Sequence, residues 1–198
     1  IGLFNEILNQ IDKKFKIKSN FFWVDERCVD PSSTDSTFGS AKKHFFSKVN
    51  ISNNNIFRIR GEEKPEIEAS YYTELLKTKT ETIKKIPSLD LCLLGIGGDG
   101  HTASIFPHEL KKLSDKTDCV VGINPESGQK RVSLSIKQIN NSKEVIFHVC
   151  GSGKKDVVDM IISKRDNYLD LPASHILPKS KNLSWYLDFD SAETFMGT

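Results

Sequence analysis

The residues with the clearest chemical potential form one run, Gly95-Ile96-Gly97-Gly98-Asp99-Gly100-His101. Glycines let the backbone approach a ligand closely and adopt positive φ angles. Asp99 and His101 are two residues apart, so a turn between them can direct both side chains into one crevice. A neutral imidazole can act as a general base near neutral pH. A carboxylate beside the ring would fix its tautomer and stabilise its protonated form, so the run indicates acid–base chemistry.

A second polar cluster, Asp25-Glu26-Arg27, follows the apolar run Phe21-Phe22-Trp23-Val24. The glycine run likewise follows an apolar segment, Leu91-Cys92-Leu93-Leu94. Each apolar run predicts a buried strand that leads into a polar loop. In an open α/β sheet, strand ends of this kind can converge on one crevice. Taken alone, the cluster at residues 25–27 is also typical of a charged surface loop.

Strands alternate with amphipathic helices along the rest of the chain. Such alternation predicts an α/β fold of the Rossmann-like type, an open and mostly parallel sheet flanked by helices on both faces. No linker is evident, so residues 1–198 are interpreted as a single domain. The predicted helices lie in 3–15, 41–49, 67–83 and 157–162, and the predicted strands in 21–24, 56–59, 91–94, 131–135, 145–149 and 183–187.

The bulk composition excludes several classes of protein. Lys and Arg number 28 against 26 for Asp and Glu, so there is no electrostatic case for nucleic acid as a partner. No apolar run approaches the roughly 20 residues that span a bilayer, so no membrane association is expected. Together with 37% hydrophobic residues, these features predict a globular cytoplasmic protein.

The spacing Gly95-x-Gly97-x-x-Gly100 matches the dinucleotide-binding fingerprint and follows a predicted strand. That fingerprint requires a helix directly behind the third glycine, whereas Pro107 interrupts any long helix here. It also usually occupies the first strand-to-helix turn, and at least one such unit comes earlier in this chain. A nicotinamide cofactor is therefore disfavoured, and we predict that the protein uses no cofactor.

The fourteen residues from Leu94 to Pro107, LGIGGDGHTASIFP, closely resemble the signature of 6-phosphogluconolactonases. Those enzymes share a fold with glucosamine-6-phosphate deaminases. The resemblance implies a deaminase/lactonase-type fold and hydrolysis of 6-phosphogluconolactone in the oxidative pentose phosphate pathway. Shorter stretches agree in the same order along nearly the whole chain, at residues 24–29, 35–36, 131–134, 151–154 and 171–174.

The resemblance also implies roles for individual residues. His101 would activate water and Asp99 would support it. The sugar phosphate would be bound by three cations, Arg27, Arg131 and Lys154. This set suits the ligand, because a phosphate monoester is best held by bidentate Arg together with a Lys charge. The expected ligand is therefore a small phosphosugar lactone.

Opening a lactone is an acyl transfer to water, so the site must also stabilise an oxyanion. The backbone N–H groups of Gly97 to Gly100, including that of Gly98, are candidate donors for it. This chemistry needs neither a nucleophilic Ser or Cys nor a metal. The five His and four Cys residues show no metal-ligand spacing, so we predict a metal-free mechanism.

The chain departs from the family pattern in three respects. By the resemblance, a strand and a Gly-rich phosphate loop should precede the helix at Leu3, and we expect this domain to lack them. Gly98 stands where lactonases often have Pro, and Thr37 where Asn is usual. Some parasites fuse this lactonase to glucose-6-phosphate dehydrogenase, and the Lys- and Asn-rich chain is compatible with such a fusion.

Two other functions remain open from the sequence. The deaminase branch continues from Asp-Gly-His with Ile-Ala-Phe-Asn-Glu, and its Glu assists ring opening, whereas Phe106 occupies that position here. A non-catalytic sugar-phosphate sensor would keep Arg27, Arg131 and Lys154. It would have no need to keep Asp99 beside a histidine.

Overall fold

The structure is a computed structural model that describes residues 2–10, 16–113 and 116–196. Its helices are α1 (Gly2–Gln10), α2 (Thr37–His44), α3 (Pro65–Lys79), α4 (Leu110–Leu113), α5 (Ile136–Ile139), α6 (Lys155–Ile162) and α7 (Glu193–Met196). Its strands are β1 (Lys16–Ile17), β2 (Phe21–Phe22), β3 (Asp25–Arg27), β4 (Asn50–Ile51), β5 (Ile56–Phe57), β6 (Glu81–Ile83), β7 (Ile86–Ser88), β8 (Cys92–Leu94), β9 (Val120–Ile123), β10 (Lys130–Ser133), β11 (Val145–Val149) and β12 (Leu183–Leu187). The part of the predicted first helix at residues 11–15 lies outside the described residues.

Most strand pairings are parallel. β12, β11 and β8 form one parallel group, and β1 with β4 and β2 with β5 form two parallel pairs. Antiparallel pairing occurs in the group β3-β10-β9 and in the hairpin β6-β7. The predicted α/β fold with a mostly parallel sheet is therefore confirmed.

The core is centred on β8 and β11, whose alternate side chains are buried. Phe147 of β11 is fully buried and stacks on Trp185 of β12, with 4.1 Å between the ring centroids. Tyr72 of α3 is also fully buried, and its hydroxyl accepts a hydrogen bond of 2.7 Å from the backbone N–H of Trp23. This contact holds α3 against the chain just before β3, which carries Arg27.

The cluster at residues 25–27, which also fits a surface loop, forms a strand instead. Its middle residue, Glu26, is buried and faces the N-terminus of α2. The Glu26 carboxylate accepts hydrogen bonds from the backbone N–H groups of Thr37 at 2.8 Å and Phe38 at 2.7 Å, and from the Ser36 hydroxyl at 3.0 Å. A carboxylate in this position satisfies free N–H groups of the helix and complements its dipole.

The helix predicted at residues 67–83 ends earlier than expected. α3 stops at Lys79, and Ile83 belongs to the hairpin β6-β7. The turn of this hairpin places Lys84 and Lys85 at φ angles of 52° and 67°, outside the helical range. Within the described ranges, no helix is both long and apolar enough to cross a membrane.

Candidate active site

The glycine run leaves the end of β8 and folds into a closed loop. The backbone N–H of Gly97 donates to the carbonyl of His101 at 2.8 Å, and that of Gly100 donates to the carbonyl of Gly97 at 3.0 Å. Gly100 lies at φ +81°, in the left-handed region that favours glycine. The chain behind Gly100 forms a short β-bridge and then a 3-10 turn at Pro107–Glu109 rather than a helix. The loop therefore lacks the geometry of a dinucleotide site.

Asp99 and His101 form the hydrogen-bonded pair that the sequence indicated. Oδ1 of Asp99 lies 2.6 Å from Nδ1 of His101 and also accepts the backbone N–H of His101 at 3.1 Å. Partial burial opposes ionisation of Asp99, but these hydrogen bonds outweigh it and lower the pKa of the carboxyl below its ordinary value. An ionised Asp99 favours the tautomer with hydrogen on Nδ1, which leaves Nε2 able to accept a proton.

Gly97 is the position at which this pair leaves no room for a side chain. A Cβ atom on Gly97 would overlap the ring of His101 and would meet Oδ1 of Asp99. A Cβ atom on Gly98 would meet nothing closer than the carbonyl oxygen of Gly153, at 3.6 Å. The two adjacent glycines therefore differ, since only Gly97 is required by the packing of the pair.

The register of β3 and β10 sets Arg27 directly opposite Arg131. The Nε atoms of both guanidinium groups are buried and have no hydrogen-bond partner within the described part of the chain. The side chain of Arg27 donates to the carbonyl of Asp35 at 2.8 Å, and the guanidinium of Arg131 lies over the ring of Phe106. Burial, and then the neighbouring charge of Arg27, lower the pKa of Arg131. Two adjacent guanidinium groups with unused donors have the chemistry to bind an anion.

A cavity of about 250 Å³ joins the glycine loop to these arginines. It lies between the chain that follows β2 and the end of β8, and its lining includes Gly97, His101, Arg27 and Arg131. Asp99 contacts His101 beside this cavity without lining it. The structure thus places the predicted base and two of the three predicted cations around one space.

Lys154 occupies a different place, at the end of the 3-10 turn that leads into α6. Its Nζ atom lies 4.0 Å from the position of a Cβ on Gly98. No ion pair or hydrogen bond of this ammonium group is found in the part of the chain that the structure describes. Lys154 therefore lies beside the glycine loop and does not line the cavity of the two arginines.

Asp25 belongs to the predicted polar cluster, but the sequence assigned it no role. It lines the same cavity, and its Oδ2 accepts a hydrogen bond of 2.6 Å from the hydroxyl of the buried Ser104. Burial raises the pKa of Asp25, while Ser104 and the two arginines act in the opposite direction. In a strand, residues two apart share a face, so Asp25 faces the cavity with Arg27. This two-residue periodicity would have placed Asp25 beside Arg27 if residues 25–27 had been interpreted as a strand.

The expected oxyanion donors are fewer than the sequence indicated. Gly97 and Gly100 use their N–H groups to close the loop, so these two donors are already paired, and their donation to a ligand stays a prediction. The N–H of Gly98 has no partner within the described residues and remains the candidate donor. Among those residues, no group of three or more His, Cys, Asp or Glu side chains could hold a metal ion.

The fold and the loop identify the class of protein. Residues 3–185 match the family of glucosamine-6-phosphate isomerases/6-phosphogluconolactonases, so the chain belongs to this family.

Particular relatives agree with the lactonase branch. The 6-phosphogluconolactonase of Treponema pallidum is 36% identical over 176 residues, which cover 88% of this chain and 71% of that protein. The crystal structure of a devB protein is 37% identical and has a TM-score of 0.91, covering 98% of this chain and 82% of the other. The 6-phosphogluconolactonase of Trypanosoma brucei is 29% identical with a TM-score of 0.77, covering 88% and 73% of the two chains.

The different surroundings of Gly97 and Gly98 give a matched test of the loop. Gly97→Ala should lower the free energy of unfolding by about 1–3 kcal/mol, because the new methyl group overpacks the Asp99–His101 pair. Gly98→Ala should change it by less than about 1 kcal/mol. Urea unfolding of both variants measures the difference, and equal losses would show that the pair does not fill the space beside Gly97.

Proposed function

We propose that this protein hydrolyses 6-phosphogluconolactone to 6-phosphogluconate, a reaction of the oxidative pentose phosphate pathway, with His101 as the general base. The observation that carries the proposal is the 2.6 Å contact between Asp99 and His101, at the edge of a cavity that also contains two arginines. The relatives named as 6-phosphogluconolactonases support this choice of substrate.

The chemistry begins when Nε2 of His101 takes a proton from a water molecule that attacks the lactone carbonyl carbon. Asp99 stabilises the resulting imidazolium. The carbonyl oxygen becomes an oxyanion, to which the N–H of Gly98 and the guanidinium of Arg131 can donate. The bond between the carbonyl carbon and the ring oxygen then breaks, and His101 returns its proton to that oxygen. The product carries a new carboxyl group, which ionises, and a new hydroxyl group.

The positions of the cations support dividing them between the two charged ends of this product. Arg27 and Arg131 share a cavity with His101, so we assign them to the reacting end, where the carboxylate forms. Lys154 lies outside that cavity, at the start of α6, so we assign it to the phosphate. The resemblance implied that all three cations surround the phosphate, whereas this division takes into account that Lys154 does not line the cavity.

The direct test is release of acid from freshly prepared 6-phosphogluconolactone. Wild-type protein should accelerate it, and His101→Ala should lower kcat by roughly 10²–10⁴ with little change in KM, the usual contribution of a positioned base. His148→Ala, at an exposed position on β11, is the matched control and should keep the wild-type rate.

Other results of the same assay would contradict the proposal. If folded His101→Ala keeps the wild-type kcat, His101 is not the general base. Release of ammonia from glucosamine-6-phosphate without lactonase activity would identify a deaminase, and binding of 6-phosphogluconate without turnover would identify a sensor.

We also propose that the reaction needs no metal, so EDTA should leave the rate unchanged. Loss of activity with EDTA, restored by one metal, would contradict that part.

The division of the cations predicts different effects for two variants. Lys154→Ala should raise KM for the phosphorylated lactone about 10- to 150-fold, since a charge-assisted contact contributes roughly 1.5–3 kcal/mol, and should leave activity on unphosphorylated gluconolactone unchanged. Arg131→Ala should lower kcat/KM for both substrates. Initial rates on the two lactones measure these effects. If Arg131→Ala instead lowers activity on the phosphorylated lactone alone, Arg131 binds the phosphate and not the reacting end.

Cytoplasmic location and fusion to a glucose-6-phosphate dehydrogenase domain stay predictions. Imaging of the tagged protein in its own cells tests the first. Sequencing of the full transcript tests the second.

A further inference from the structure

The turn between Asp99 and His101 is held from outside the glycine loop. The carbonyl of Gly100 accepts a hydrogen bond of 3.0 Å from the backbone N–H of Ala173. A Cβ on Gly100 would lie 2.8 Å from the Cβ of Leu171, so the two residues are packed together. The chain from residue 171 to residue 177, called here the 171–177 segment, therefore supports the residue that separates the members of the pair.

Asn140, directly after α5, fixes the other end of this segment. Its Nδ2 donates to the carbonyl of His175 at 2.8 Å, and its Oδ1 accepts the backbone N–H of Leu177 at 2.7 Å. Its own carbonyl accepts the backbone N–H of Lys179 at 2.9 Å. Both functional groups of the side chain are thus used on the 171–177 segment.

Asn141, the next residue, is equally engaged but with a different part of the fold. Its Nδ2 donates to the carbonyls of Ile86 at 2.9 Å and Pro87 at 3.2 Å, in the hairpin β6-β7. Its Oδ1 accepts from Nζ of Lys179 at 2.8 Å. The two adjacent asparagines therefore bond mainly to different regions: the side chain of Asn140 bonds to the 171–177 segment itself, whereas that of Asn141 bonds to the hairpin and to Lys179, two residues beyond the segment.

We propose that Asn140 is a positioning residue for the reaction proposed above: through the 171–177 segment it holds Gly100, and thereby sets Asp99 against His101. The inference rests on the proposed function for its kinetic consequence. General-base catalysis depends on position, and a displacement of about 1 Å can lower a rate about 100-fold. Removing the Asn140 side chain frees the carbonyl of His175 and the N–H of Leu177, so that end of the segment is held only by the backbone bond between Lys179 and Asn140 and by Lys179 with Asn141.

The test compares Asn140→Ala with Asn141→Ala by lactonase kinetics, thermal unfolding and the proton NMR signal of the Nδ1–H of His101. Both variants should lose stability to a similar degree. Asn140→Ala should lower kcat about 10-fold or more, keep KM within about threefold, and shift or broaden the His101 signal. Asn141→Ala should keep kcat within about twofold and leave the signal in place.

Equal losses of kcat in the two variants, or an unchanged kcat and His101 signal in Asn140→Ala, would overturn the proposal. If Asn140→Ala does not fold, Asn140→Asp keeps the acceptor for Leu177 but replaces the donor to His175 with a second acceptor, and should change kcat and the His101 signal in the same direction. The NMR measurement does not depend on the proposed function, because it needs no lactonase activity. A protein inactive on the lactone would refute that function, and the His101 signal would still decide the role of Asn140.

Discussion

The contact on which the rest of the site depends is the hydrogen bond between Oδ1 of Asp99 and Nδ1 of His101. At 2.6 Å it constrains the loop around it, because the ring of His101 occupies the space of any side chain at residue 97. Gly97 follows from that crowding, and Gly100 follows from the left-handed turn that separates the pair. The glycines therefore serve mainly to let a carboxylate and an imidazole meet two residues apart.

The side of the cavity that carries the arginines depends on a different constraint, the antiparallel pairing of β3 with β10. That pairing sets Arg27 against Arg131, and the two like charges remain together because the strands hold them there. β3 is in turn fixed by the Glu26 carboxylate at the start of α2. Neighbouring residues of one strand thus serve opposite faces, with Asp25 and Arg27 toward the cavity and Glu26 toward the helix.

Much of this fold follows from local pattern. The apolar runs at 91–94 and 145–149 form strands as predicted, because the strands of a parallel sheet are rich in apolar residues. The run at 183–187 also forms its predicted strand, although it is only partly buried. The strand at residues 25–27 could not be told from a loop, since its burial depends on N–H groups of α2 ten or more residues away. The hairpin β6-β7 was missed because Ile83 continued a helical spacing past the end of α3. Strand β9 was not predicted from the sequence.

The site divides in the same way. The Asp99–His101 pair is encoded within three residues, so the sequence predicted it, whereas the relative positions of Lys154 and the arginines are set by tertiary packing. The central claim is that Asp99 holds His101 with Nε2 free to accept a proton. Long-range ¹H–¹⁵N NMR of the neutral ring tests it most directly. We predict a protonated Nδ1 and an unprotonated Nε2, a preference that Asp99→Asn weakens. A ring protonated at Nε2 with Nδ1 unprotonated would contradict the account.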